Sequence, residues 1–330
     1  KATQIGRIQS MVSEAGTPET PQQRELDRVG GQLVWLSLAV CGLVFVAGLL
    51  LMGVGKGLFA SPSRALLGDL FSGSRGLALG IYSAGTDLGG LLAAGLAAAA
   101  LATTTWRVAF APIIVLLALL TALFLAWNRE PYTVSRVSLS PRETFERVVA
   151  TRAQRERLLA YSLFYFAVGG LTNFYPLLLV ESGGFSETLA SGAFALIFAV
   201  GIFVKPTAGE VSDRFPRLLV SIAGLLVGAG GFALIILASS LPLVALGTVL
   251  AAVGYKTQFP IADTVVMEAA PDDSMGGDLG AARGVFLTAN AVGPGFVGIV
   301  ADTASYALAF WGLAAALLVA AGVLAAQYRR

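Results

Sequence analysis

Histidine is absent from this 330-residue sequence, and cysteine occurs once, at Cys41. The first absence excludes haem ligation by histidine, histidine-dependent zinc sites and Ser-His hydrolytic chemistry. The second excludes a disulfide framework and a cysteine-based metal site, and Cys41, set in an apolar run, reads as a small buried hydrophobe. Charge is scarce too: 13% of residues are charged against 56% hydrophobic, and the mean hydropathy is +0.78. No water-soluble globule of this size has that balance, whereas a bilayer suits it. A backbone in lipid must satisfy its own hydrogen bonds, and long apolar runs with glycine inside them predict helices rather than the alternating strands of a barrel. The expected fold class is an all-α polytopic membrane protein. No metal, cofactor, nucleic-acid partner or enzymatic activity is expected.

Residues 1–26 are polar and aperiodic, with the stretch Thr17-Pro18-Glu19-Thr20-Pro21, and read as a disordered segment unlike a signal peptide. Apolar runs follow near 33–55 (continuing towards 68), 76–102, 106–127, 158–181, 187–209, 218–238, 241–268, 281–301 and 304–327. At 1.5 Å rise per residue each reaches across roughly 30 Å of hydrocarbon. Between 128 and 157 hydropathy collapses and seven arginines appear: Arg129, Arg136, Arg142, Arg147, Arg152, Arg155 and Arg157. This reads as a linker between a helical block at 27–127 and a six-helix block at 158–330, with Pro141 to Arg157 as a surface helix. In the second block the loops alternate between lacking Lys and Arg and carrying Arg214, Arg217, Arg283, Arg329 and Arg330. The positive-inside rule then puts the C-terminus in the cytoplasm and the chain in the cytoplasmic membrane.

The two blocks echo each other. Lys56 and Lys256 stand 200 positions apart, each with a phenylalanine three residues on, Phe59 and Phe259. Arg75-Gly76 answers Arg283-Gly284, and the register continues to Gly85 with Gly293 and Gly90 with Gly298. Upstream, Asp27-Arg28 answers Asp213-Arg214, but 43 residues separate Asp213 from Lys256 and only 29 separate Asp27 from Lys56. Fourteen residues is about 21 Å of helix, most of one crossing. The first block therefore reads as short of two helices and part of a third, with residues 33–68 forming either one helix or a broken re-entrant pair.

These residues resemble the major facilitator superfamily of secondary transporters. The signature Gly-x-x-x-Asp-Arg-x-x-Arg appears as Gly209 to Arg217, with Asp213, Arg214 and Arg217 in register and a remnant at Asp27-Arg28; Trp106-Arg107 with Phe110 is similar to the start of the family's sixth helix. The resemblance implies two bundles built as parallel pseudo-twofold repeats, the N-terminal one incomplete here. It places Lys56 on the fourth helix and Lys256 on the tenth, both lining the central cavity. The Asp-Arg signature reads as a latch that pairs across the bundles in one state and parts in another.

Charge at bilayer depth costs about 2.5–3.5 kcal/mol per group, so each such group is a candidate for function. Lys56 and Lys256 suggest an anionic substrate, with Tyr255, Gln258, Tyr165, Asn173 and Tyr175 as orienting partners. The plainer alternative is that the two lysines neutralise buried carboxylates such as Asp87. Asp87, the sole ionisable group in its run, is a candidate proton carrier; Arg64 and Asp263 are expected near the cytoplasmic gate, and Lys205, before Pro206, is expected to snorkel. The expected function is transport of a small anion by alternating access, with a proton as candidate coupling ion, the bilayer as partner and a monomer as default. The alternatives are a truncated, non-transporting paralogue or fragment acting as a membrane interaction or regulatory subunit, and an efflux carrier for neutral or cationic compounds.

Overall fold

The computed structural model describes residues 21–103, 105–127, 140–271 and 274–330; at 21–27, 97–98, 101–103, 106 and 109 it describes the backbone alone. Helix α1 runs unbroken over Pro21–Leu70, so the stretch 33–68 is a single helix and not a re-entrant pair. It is followed by α2 (Arg75–Thr103), α3 (Phe110–Trp127), α4 (Pro141–Val148), α5 (Arg152–Leu177), α6 (Glu187–Arg214), α7 (Arg217–Leu237), α8 (Leu241–Ala269), α9 (Met275–Thr303) and α10 (Tyr306–Tyr328). No strand occurs among the described residues. The polar segment 1–20 and the first part of the linker, 128–139, lie outside them.

Local chemistry sets the helix boundaries. Thr151 and Gln154 form a capping box that starts α5 at Arg152, so residues 152–157 are its first turns. Ser186 and Ser305 cap α6 and α10 by accepting the N–H groups of Leu189 and Leu308. Gly184, at φ 68°, makes the turn between α5 and α6 in the left-handed region that a side chain disfavours.

Described residues up to Phe59 form one compact unit and Ala60–Arg330 another. In the first, every described side chain from Arg28 to Phe59 is exposed, as on a lone apolar helix. Cys41 is therefore exposed rather than buried, because no described residue of its unit packs over its helix. In the second, α5 to α10 pack around a continuous core that includes Tyr161, Phe164, Tyr175, Phe232, Phe286 and Phe310. The main contacts pair α7 with α8, α5 with α9, α6 with α8, and α10 with both α5 and α7. Helix α2 lies against α6 and α8.

Eight helical segments among the described residues are long and apolar enough to cross a membrane. Helix α8, of 29 residues, is not one of them, because Lys256, Gln258 and Asp263 interrupt its apolar character. It is also the helix with the most buried residues, shielded by its neighbours. Charged side chains buried inside an apolar bundle are candidates for function.

Candidate substrate site and gate

Two carboxylates, each held by two cations, lie buried in the second unit. Asp87 on α2 is 2% exposed; its Oδ1 is 2.6 Å from Lys256 Nζ on α8, and its Oδ2 is 2.7 Å from Lys205 Nζ on α6. Gly201, one turn before Lys205, makes room: a Cβ there would collide with the Asp87 carboxylate. The two lysines differ in what else they touch. Lys205 also donates to the Ser83 carbonyl at 2.8 Å and to Thr86 Oγ1 at 2.9 Å, so its three donors are engaged. Lys256 makes one hydrogen bond, to Asp87, and its remaining N–H groups meet aromatic faces, with ring centroids at 4.6 Å for Phe198 and 4.3 Å for Tyr255. The trio carries a formal charge of +1.

The expectation that Lys205 snorkels is overturned: its residue is 2% exposed and its ammonium points inward. The cause is tertiary. Gly80 lets α2 approach the Lys205 carbonyl so closely that no Cβ would fit, which sets Asp87 and the α2 carbonyls beside the lysine. A long stem that cannot be seen to have an inward acceptor in sequence has one in space.

Asp263 on α8 is the second centre. Arg283 on α9 donates to both its oxygens from Nη1, at 2.6 and 2.8 Å, and Arg64 Nε lies 3.0 Å from Oδ2. Arg64 also donates to the Ala60 carbonyl at 2.7 Å and sits over the Tyr82 ring at 4.8 Å. Beside this trio, Leu79, Met267, Met275 and Leu279 form a small apolar plug. Closer to the linker end, the Asp213 carboxylate accepts the backbone N–H groups of Gly76 and Leu77, each at 2.9 Å, while Arg217 Nη2 donates to Asp213 at 3.0 Å. The Asp213 carboxylate caps the first turn of α2, whose orphan N–H groups and positive dipole end favour an anion. Arg214 pairs with Glu210 on its own helix, and Arg217 also pairs with Glu268. Gly76 and Gly209 make the approach possible, since a Cβ on either would collide with the other's carbonyl oxygen.

The sequence model of the Major Facilitator Superfamily matches this chain twice, over residues 29–204 and 157–330. The chain belongs to the major facilitator superfamily. Solved structures of similar fold include the human organic anion transporter MFSD10 (TETRAN), with TM-score 0.65 and 21% identity over 80% of this chain and 67% of that one. The E. coli fucose:proton symporter FucP follows at TM-score 0.56 and 18% identity, over 68% of this chain and 56% of the symporter. A bacterial homologue of the iron transporter ferroportin, in an outward-facing state, is similar at TM-score 0.59 and 16% identity over 96% of this chain and 76% of that one. Among curated proteins, calcium-transporting ATPase 1 of Lactococcus lactis subsp. lactis (strain IL1403) is 42% identical over 48 residues, which is 14% of this chain and 6% of the ATPase. These structural likenesses are likenesses of fold.

Within this superfamily member the other candidate residues divide. Tyr255 belongs to the lysine trio through its ring. Tyr165 packs with Phe259 and Phe286, at centroid distances of 5.7 and 5.2 Å, and its buried hydroxyl has no hydrogen-bond partner among the described residues. Gln258 turns away from the lysine trio to α7, where it accepts from Ser221 Oγ at 2.6 Å and donates to the Ser221 carbonyl at 3.0 Å. Tyr175 pins α5 to α8 through Thr248, and Asn173 is exposed, donating to the Gly169 carbonyl of its own helix at 2.8 Å. Lys56 and Arg28 lie in the first unit with exposed side chains, and the side chain of Asp27 is outside the described set. Lys205 and Arg283 complete the two trios: Lys205 stood out as a charge at bilayer depth but was read as snorkelling, and Arg283 was not singled out for the site. The repeat had aligned Arg283 with Arg75, but both read as loop charges marking a membrane face.

Proposed function

We propose that this chain is a secondary transporter that carries a small anion across the cytoplasmic membrane by alternating access, with its C-terminus in the cytoplasm. The observation that carries the reading is the state of Lys256. It is 1% exposed, it has one strong acceptor for three donors, and that acceptor is a carboxylate already shared with a second ammonium. Asp87 thus occupies the place that a substrate carboxylate or oxyanion would take. When Asp87 takes up a proton, its hold on Lys256 weakens, and the ammonium is left with two aromatic faces and an anion to bind. Loss of the proton restores the Asp87–Lys256 pair and expels the anion. Lys205, whose donors are engaged, keeps α2 and α6 in register. Asp263, Arg64 and Arg283, with the apolar plug and the Asp213 cap, form the gate at the linker end, which is closed.

Uptake of a panel of small organic and inorganic anions into liposomes holding the purified chain tests this. Saturable uptake is expected, falling about tenfold or more in kcat/KM for Lys256→Ala, the size of one lost charge-assisted contact. No uptake of any anion, or equal uptake by Lys256→Ala, would overturn the reading and leave the trio as charge that only packs helices.

A further inference from the structure

Helix α4 has eight residues, a length at which an isolated helix is marginal in water. Its sequence suits a helix, with Pro141 and Glu143 in the first turn and Arg147 in the last, but what holds it is the start of α9. Arg147 Nη2 donates to Asp278 Oδ1 at 2.8 Å, and Arg147 Nε donates to the same oxygen at 3.2 Å. Asp278 is 4% exposed, and Arg147 is its one ion-pair partner among the described residues. Val148, the last residue of α4, is buried in the core shared by α5 to α10. The first two turns of α9 present three faces, as 3.6 residues per turn requires. Met275 and Leu279, four residues apart, join Leu79 of α2 and Met267 of α8 in the apolar plug. Gly276 and Gly280, the next pair round, face the last turns of α1, where a Cβ would lie 3.7 Å from Ala65 or from Ser61. Gly277 and Asp278 face α4, and a Cβ on Gly277 would lie 3.8 Å from the Thr144 methyl.

We infer that Arg147 is a positioning residue for the proposed gate: through Asp278 it makes the linker helix a clamp that holds the first turns of α9 against the plug. The inference rests on the reading of the linker end as a gate. Without Arg147 the Asp278 carboxylate is a buried charge with no counterion, and it gains water only if the start of α9 turns outward. Met275 and Leu279 are on the same two turns, so that movement draws them away from Leu79. In the chain α4 lies between the two helical blocks, so a movement of one block against the other acts on it. A single short helix, held by one ion pair and one buried valine, gives way before the long helices on either side do. The Asp213 cap restrains α2 at one wall of the plug, and the Arg147 clamp restrains α9 at the other.

The test uses the full chain in detergent, in a Cys41→Ser background with a Leu79→Cys reporter, and reads the rate of reaction with a water-soluble maleimide. Arg147→Gln should raise that rate at least about tenfold, the size of one lost charge-assisted contact. Asp278→Asn, which strands no buried charge, should also raise it and decides the matter if Arg147→Gln does not fold. The double variant should react no faster than Arg147→Gln, because the arginine acts through the carboxylate. Arg142→Gln, on the exposed face of the same helix, should leave the rate unchanged. A second reporter, Val244→Cys, fully buried near the opposite end of α8, should stay slow in every variant, which a general loss of packing would not allow. An unchanged rate at Leu79→Cys, additive effects in the double variant, or equal acceleration at Val244→Cys would overturn the clamp. If Gly209→Leu accelerates labelling at Leu79→Cys and Arg147→Gln does not, the gate stands and the clamp falls; if neither does, both fall.

Discussion

Asp87 is the residue on which two helices depend. Removing one partner from a buried ion cluster strands the others in low dielectric, at about 3–5 kcal/mol. Asp87→Asn leaves two ammonium groups facing each other with side chains 3% or less exposed, so it should unfold at a markedly lower temperature than Lys205→Met, which leaves a neutral Asp87–Lys256 pair. Thermal melting in detergent compares the two; equal melting temperatures would show that the trio carries no net interaction. The same residue is the proposed proton carrier, and the sign of its effect follows. On the proposed mechanism anion binding at Lys256 goes with a proton on Asp87, so uptake by the wild type should rise as external pH falls. In whatever fraction of Asp87→Asn folds, uptake should no longer respond to a pH gradient; persistence of the response would remove Asp87 from the coupling.

At the scale of elements, the proposed gate rests on how near α2 comes to α6. Three positions make the contact, Gly76, Gly80 and Gly209, and through it Asp213 reaches the Gly76 and Leu77 amides. Gly209→Leu cannot be absorbed there, because the atom it meets is backbone and not a flexible side-chain end. It should separate the two helices at the linker end and expose the plug around Leu79, which is 1% exposed in the closed arrangement. In a Cys41→Ser background, a Leu79→Cys reporter should react slowly with a water-soluble maleimide, and at least about tenfold faster once Gly209→Leu is added. That factor corresponds to roughly 1.4 kcal/mol of shifted equilibrium. An unchanged rate would mean that the glycine contact does not hold the gate.

For the whole molecule, orientation is the property that arginine placement encodes. The linker helix α4, the start of α5 and the C-terminus carry Arg142, Arg147, Arg152, Arg155, Arg329 and Arg330, while the turn after α5 at the opposite end carries none. With Cys41 replaced by serine, Ser182→Cys should be labelled from outside intact cells by an impermeant reagent, and Arg330→Cys only after permeabilisation. The reverse pattern would invert the proposed topology and, with it, the side on which the gate is closed.

Hydropathy and glycine-bearing apolar runs, which are local properties of the chain, were enough to determine that this protein is helical and built for a bilayer. The register from Gly209 to Arg217 was enough to point to its family. The carboxylates and Lys256 were visible as candidates because a charge inside an apolar run stands out wherever the run is placed. That a lysine neutralises Asp87 was one of two readings open in the sequence; that it is Lys256 together with Lys205 was decided by tertiary structure, because Asp87 and Lys256 are 169 positions apart, just as Asp213 reaches the Gly76 amide across 137. Lys205 sits before a proline near a helix end, where its long stem could as well reach outward as inward; only the approach of Gly80 settles the direction. Gln258 and Tyr175, polar residues on inward helices, were equally good ligands and equally good struts until Ser221 and Thr248 were found opposite them.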